Sequence, residues 1–203
     1  LLNGKMVFLK EHLDRLYYGA EKLAIDIGRS KKEIKNLIQK TLDANGMKTG
    51  VHIRLIVSRG TKKTPYQHPN ANEGGSSIVI IPEYKKADLQ VNKEGIRLVT
   101  VSIRRGTPDT QNPRLNTLSK QNCISACIEA DQLGADEGIM LDIHGNVSTC
   151  NSTNFFIVTK GEIWTSTGNY CLPGVTRGAV INICSENNIP IFEKDFCILD
   201  VHS

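Results

Sequence analysis

Two stretches between residues 136 and 177 carry groups suited to holding a small anion. The first is Val147-Ser148-Thr149-Cys150-Asn151-Ser152-Thr153-Asn154, dense in hydroxyl and amide side chains. It reads as a polar loop between two apolar segments, offering hydroxyls and backbone N–H groups to a ligand. The second is Gly174-Val175-Thr176-Arg177, placed where a helical pattern begins. Unpaired N–H groups and the partial positive charge of a helix N-terminus bind phosphate readily. Two such stretches so close in sequence point to a small phosphorylated ligand.

The elements that must position these groups follow from hydrophobic spacing. An apolar strand ends in the turn Ile143-His144-Gly145-Asn146, and a second strand covers Phe155 to Val158. Lys160-Gly161 turns the chain, Ile163 to Thr165 makes a short strand, a helix runs from about Arg177 to Asn187, and Pro190 begins a last strand. Upstream, Met6 to Leu9 reads as a short strand. Leu13, Leu16, Tyr17, Ala20 and Leu23 then recur at helical spacing. Ser30 with Glu33 forms a capping-box signature, opening a helix through Ile34, Leu37, Ile38 and Leu42 that stops near Asn45-Gly46. Strands are expected at 51–58, 77–81 and 96–103. Between the first two lies a polar loop at 61–76, and residues 84–93 read as a linker. A helix over 122–133 takes its apolar surface from Ile124, Ala126, Cys127 and Ile128. No closing element is expected after Asp200. The pattern is mixed α and β in two domains.

Composition removes several classes of function. With 203 residues and 39% hydrophobic content, the chain can bury one large or two small cores. A net charge of +4, spread over scattered lysine and arginine pairs, and only 5% aromatic residues argue against a nucleic-acid surface. No apolar run approaches the roughly 18 residues that mark a membrane helix, so no membrane partner is expected. The six cysteines are widely spread, several within apolar segments. They read as reduced thiols in a cytoplasmic setting. Cys123 and Cys127 have no histidine nearby in sequence, which favours packing over metal binding, and no metal is expected.

In order and spacing, these segments resemble the class IV, pyridoxal-phosphate-dependent aminotransferases. That family includes branched-chain and D-amino-acid aminotransferases and aminodeoxychorismate lyase. His12-Leu13-Asp14-Arg15-Leu16 is similar to its H-x-x-R-L helix, and Ile53-Arg54 to the strand after the second helix. Arg104-Arg105 through Asn112-Pro113-Arg114 resembles the approach to the catalytic lysine. Gly134-Ala135-Asp136-Glu137 and Asp142 through Asn146 resemble G-x-D-E and D-x-x-G. Asn154-Phe155-Phe156 resembles N-[IL]-F, and Leu172 to Arg177 resembles L-x-G-[IV]-T-R.

The resemblance covers nearly the whole chain. It implies a two-domain α/β fold, incomplete at both ends: a small α/β domain at 1–86, a linker at 87–95 and a larger pseudo-barrel domain at 96–203. It further implies pyridoxal 5'-phosphate as cofactor, an amino acid (branched-chain type favoured) and a 2-oxo acid as substrates, and a homodimer. Arg15 is implied to bind the cofactor phosphate, with Gly174, Val175 and Thr176. Arg54 and, in the loop after its strand, Lys62, Lys63 and His68 fall where the family can bind the substrate carboxylate; the alternative is a plain surface loop.

The chain departs from the family pattern twice. Pro113-Arg114-Leu115-Asn116-Thr117-Leu118-Ser119-Lys120-Gln121 aligns without gaps to P-R-V-K-S-L-N-Y-L, so Asn116 stands at the Schiff-base lysine position. An amide cannot form that bond. Lys120 lies four residues on; in a helix this is about 6 Å of rise on a similar face, within a lysine's reach. The alternative is a solvated lysine at a helix start. Thr149 stands where a glutamate pairs with the pyridine nitrogen, and a hydroxyl keeps that nitrogen protonated less well, weakening the electron sink. Three functions stay open. They are an aminotransferase using Lys120 as catalytic residue and Thr149 as ring partner, a lapsed scaffold that binds a ligand or partners a subunit, and a lyase of aminodeoxychorismate type.

Overall fold

The computed structural model describes residues 1–86, 89 and 91–203. Within the expected linker, Ala87, Asp88 and Gln90 lie outside the described residues. The chain divides into two compact units, Leu1–Asp88 and Leu89–Ser203.

The first unit opens with α1 (Leu9–Lys22) and α2 (Lys31–Ala44). The strand expected at Met6–Leu9 is absent: Phe8 adopts φ 53° and ψ 29° and turns directly into α1. Helix α2 begins with the expected reciprocal cap. The Glu33 N–H donates to Ser30 Oγ at 3.3 Å, and the Ser30 N–H donates to the Glu33 carboxylate at 2.7 Å. These bonds hold the Glu33 carboxyl below its ordinary value. Strand β1 (Val51–Ser58) follows, then a small hairpin of β2 (Thr61–Lys62) and β3 (Asn72–Glu73), then β4 (Ser77–Tyr84). Strands β1 and β4 pair antiparallel from Val51 opposite Tyr84 to Ser58 opposite Ser77. The ribbon therefore continues past the expected end of β4 at Ile81. Pro82, which has no N–H to give, is tolerated because a two-stranded ribbon consists only of edges. Ile34, Ile38 and Leu42 recur every four residues on α2, are buried, and meet Leu13, Ala20, Ile27 and Val51 in one core. Each such side chain contributes about 1.5–3 kcal/mol by leaving water.

The second unit contains α3 (Val91–Glu94), β5 (Leu98–Thr100), α4 (Gln121–Gln132), β6 (Glu137–Leu141), β7 (Val147–Cys150), β8 (Phe156–Thr159), β9 (Glu162–Thr165), α5 (Val175–Glu186), β10 (Ile191–Glu193) and α6 (Ile198–Val201). Strands β5, β6 and β7 form one sheet, parallel then antiparallel. Strands β10, β9 and β8 form another. The chain does carry a closing element, since α6 follows Cys197. Helix α4 buries Ala126 and Ala130, whereas Ile124, Cys127 and Ile128, expected on its apolar face, are exposed. The small face wins because the helix lies very close to β6. A Cβ on Gly138 would fall 2.6 Å from a Val101 methyl and 3.2 Å from the Ala126 carbonyl oxygen.

The cap on α2 gives a direct test. Ser30→Ala removes the hydroxyl acceptor and is expected to cost about 1 kcal/mol, read as a lower urea midpoint with an unchanged slope.

Candidate functional site

The anion-friendly helix start is present in the second unit. Helix α5 opens at Gly174, whose lack of a side chain leaves it unable to cap the first N–H groups itself. Thr176 is exposed there, and Gly174 and Val175 are half-buried. Gly174 sits at a close approach: a Cβ at this position would lie 2.1 Å from Asn154 Oδ1, and the amide would have to move. The same Asn154 donates to the Leu172 carbonyl at 3.1 Å, so it fixes the chain just before the helix.

The irregular run leading to α5 is held from several directions. The Tyr170 carbonyl accepts from Arg105 Nε at 3.0 Å and from Ser148 Oγ at 3.1 Å. Arg114 donates to the Gly168 carbonyl at 3.4 Å and to Asn169 Oδ1 at 3.3 Å. Arg177, buried on α5, donates to the Ser166 carbonyl and to the Glu193 carboxylate, both at 2.6 Å. This run thereby links β7, the Pro113–Lys120 segment and the start of α5.

The stretch 147–154 differs from its expected role. Only its second half is loop: residues 147–150 are strand β7, paired to β6 and buried along their whole length, and the bend at 151–153 follows with Ser152 and Thr153 exposed. Its polar groups serve the chain itself. Thr149 Oγ donates to the Thr153 carbonyl at 2.7 Å. Ser152 and Thr153 donate to the Glu137 carboxylate, and the Gly138 N–H donates to Asn151 Oδ1. Burial and the Glu137 carboxylate push the Cys150 thiol up to about 12. Thr149 keeps only its oxygen lone pairs for a ligand, so it can accept a hydrogen bond from a ring N–H but supplies no charge.

Residues 113–120 are not helical, so the one-turn spacing that a helix would give does not apply; α4 begins only at Gln121, with Lys120 as its N-cap. The two side chains nevertheless meet: Lys120 Nζ donates to Asn116 Oδ1 at 3.1 Å. The segment folds back on itself through hydrogen bonds of its own, including Gln111 Nε2 to the Ser119 carbonyl at 2.8 Å.

Arg15, Arg54, Lys62, Lys63 and His68 belong to the first unit. Arg15 sits on α1, half-buried, and burial draws its guanidinium below its ordinary value. Such a group remains charged at any physiological pH. Arg54 is exposed on β1. Lys62 donates to the Tyr66 carbonyl at 2.7 Å, and the Tyr66 and His68 rings stack at 6.2 Å, so these three form one cluster in the 61–76 loop. Lys63 pairs with Glu73 at 3.7 Å.

Arg105, Asn154 and Arg177 stand in the motifs read from the sequence, but their partners do not. Glu193 lies sixteen positions from Arg177, and Arg105 and Asn154 act on backbone carbonyls, which carry no sequence signal.

Two outcomes follow. Arg177→Met leaves the Ser166 carbonyl and Glu193 without their donor, and should cost about 2 kcal/mol in urea unfolding. At pH 8 the Cys150 thiolate is only about one part in ten thousand, so iodoacetamide should spare it while alkylating exposed Cys127, as read by peptide mass spectrometry.

Comparison with known proteins gives the family and the fold. The amino-transferase class IV family matches residues 1–203. Branched-chain-amino-acid aminotransferase-like protein 1 of Arabidopsis thaliana is 37% identical over all of this chain and 36% of its own length. A putative branched-chain-amino-acid aminotransferase of Methanocaldococcus jannaschii is 33% identical, over 99% of this chain and 68% of its own. The chain thus spans little more than a third of the first relative and about two thirds of the second. The crystal structure of a branched-chain aminotransferase from Thermoproteus uzoniensis with norvaline superposes with a TM-score of 0.84 and 28% identity, covering 96% of this chain and 64% of that one. The mixed α/β architecture is that of these enzymes, and the chain belongs to the class IV aminotransferase family.

Proposed function

We propose that this protein transfers an amino group between an amino acid of branched-chain type and a 2-oxo acid, using pyridoxal 5'-phosphate, with Lys120 as the amine that engages the cofactor. The observation that carries this reading is the 3.1 Å contact of Lys120 Nζ with Asn116, the residue at the family's lysine position. The chain has not lost its amine there. It supplies one from four residues further on.

The donor set fits the cofactor. The uncapped start of α5, with Val175, the exposed Thr176 hydroxyl and the helix dipole, suits a phosphate dianion. Gly174 permits the close packing that holds this start in place. The role of Arg15 as a phosphate cation rests on the H-x-x-R-L resemblance, as do the roles of Arg54, Lys62 and His68 toward the substrate carboxylate. When bound, pyridoxal phosphate supplies the electron sink that makes the amino-acid α-carbon acidic. Lys120, as a neutral amine, takes the proton from that carbon and returns it during transfer. On the resemblance, Thr149 would face the ring nitrogen and offer it lone pairs but no charge, which would leave the sink weaker than one paired with a carboxylate.

The relatives' names point to amino transfer and to branched-chain substrates. A lapsed scaffold finds no support in them, and no observation favours a lyase. A homodimer and a cytoplasmic location belong to the same proposal, supported by the family resemblance and by six free cysteines.

The protein incubated with pyridoxal phosphate and reduced with borohydride should carry a pyridoxyl group on Lys120. Lys120→Ala should abolish that adduct and lower leucine-to-2-oxoglutarate transfer by at least about a hundredfold. An unmodified wild-type protein would overturn the proposal.

A further inference from the structure

We infer that Asn116 is a positioning residue for Lys120, holding its amine by a hydrogen bond to the side-chain amide oxygen. The inference rests on the reading of Lys120 as the cofactor-engaging amine. A lysine carries four methylenes and a head with three donors, so its amine samples a wide volume unless an acceptor restrains it. Asn116 Oδ1 is such an acceptor, at 3.1 Å.

The acceptor is itself fixed. The backbone around it is irregular yet held by several hydrogen bonds of its own. Leu115 N–H donates to the Asn112 carbonyl at 3.2 Å, and Thr117 N–H donates to the Leu115 carbonyl at 3.0 Å. Ser119 N–H donates to Thr117 Oγ at 3.3 Å. Gln111 spans from outside to the Ser119 carbonyl, and Arg114 ties the segment to Gly168 and Asn169. Lys120 is anchored in turn at the start of α4, where Ile124 N–H donates to its carbonyl at 2.8 Å. The loop therefore sets the reach between the two side chains, and a helix is not needed to bring them together.

The type of acceptor matters as well as its place. An amide oxygen accepts from an ammonium or from a neutral amine. A carboxylate at the same position would favour the ammonium and hold back the proton that the amine must lose before it can attack. Asparagine restrains the amine without fixing its charge.

The test compares wild-type protein with Asn116→Leu, which keeps the branched outline and removes the acceptor. Position 116 is exposed, so the variant should fold, as checked by circular dichroism. With excess pyridoxal phosphate and timed borohydride quenching, labelling at Lys120 should slow about fivefold. Affinity for pyridoxamine 5'-phosphate, which has an amine in place of the aldehyde and makes no bond to lysine, should not change. Labelling at the wild-type rate would overturn the inference. So would an equal fall in pyridoxamine phosphate affinity, which would make residue 116 part of the binding surface instead. Absence of any labelled lysine in wild-type protein is a separate failure, and it would remove the reading of Lys120 itself.

Discussion

The run from Ser166 to Gly174 has no strand or helix of its own, and its carbonyls are satisfied by side chains that arrive from elsewhere. Arg105 and Ser148 both donate to Tyr170, Arg114 donates to Gly168, Asn154 to Leu172 and Arg177 to Ser166. An irregular segment left half-buried without such donors would expose unpaired polar groups, at a cost comparable to lost hydrogen bonds. These donors therefore decide where α5 starts, and through it where an anion can be held. They also set the segment that carries Lys120 and the strand that carries Thr149 against one common piece of backbone.

What could be read from residues alone divides along physical lines. The second helix was legible to within a residue because its start is a local chemical signature, Ser30 with Glu33, and its buried face repeats every four residues. Strand β1 was legible because Val51, Ile53, Leu55 and Val57 alternate along it and Arg59-Gly60 breaks the pattern. Strand β7 was not. Val147-Ser148-Thr149-Cys150 has the composition of a loop, and only its pairing with β6 and the neighbouring backbone acceptors make burial of those hydroxyls affordable. Helix α4 misled in the opposite sense, because alanine rather than isoleucine meets the sheet when the backbones lie this close. In the candidate site, Lys120 was legible through its motif, but the contact with Asn116 depends on a non-helical loop that no periodicity describes.

The polar richness of the central segment turns out to be structural. Its hydroxyls and amides hold Glu137, Gly138 and the approach to α5 in place. Under the proposed function that leaves the chemistry to fewer groups: backbone N–H groups at a helix start, one primary amine and the lone pairs of one threonine. On that reading the phosphate end depends on fixed backbone, and the reacting end on one lysine held by Asn116.

The close approach of Asn154 to Gly174 carries an evolutionary consequence. A Cβ at 174 would require the Asn154 amide to turn aside, and the turned amide could no longer donate to the Leu172 carbonyl as it does now, so the two positions are coupled through that bond. Among homologues, these two positions should change together or not at all.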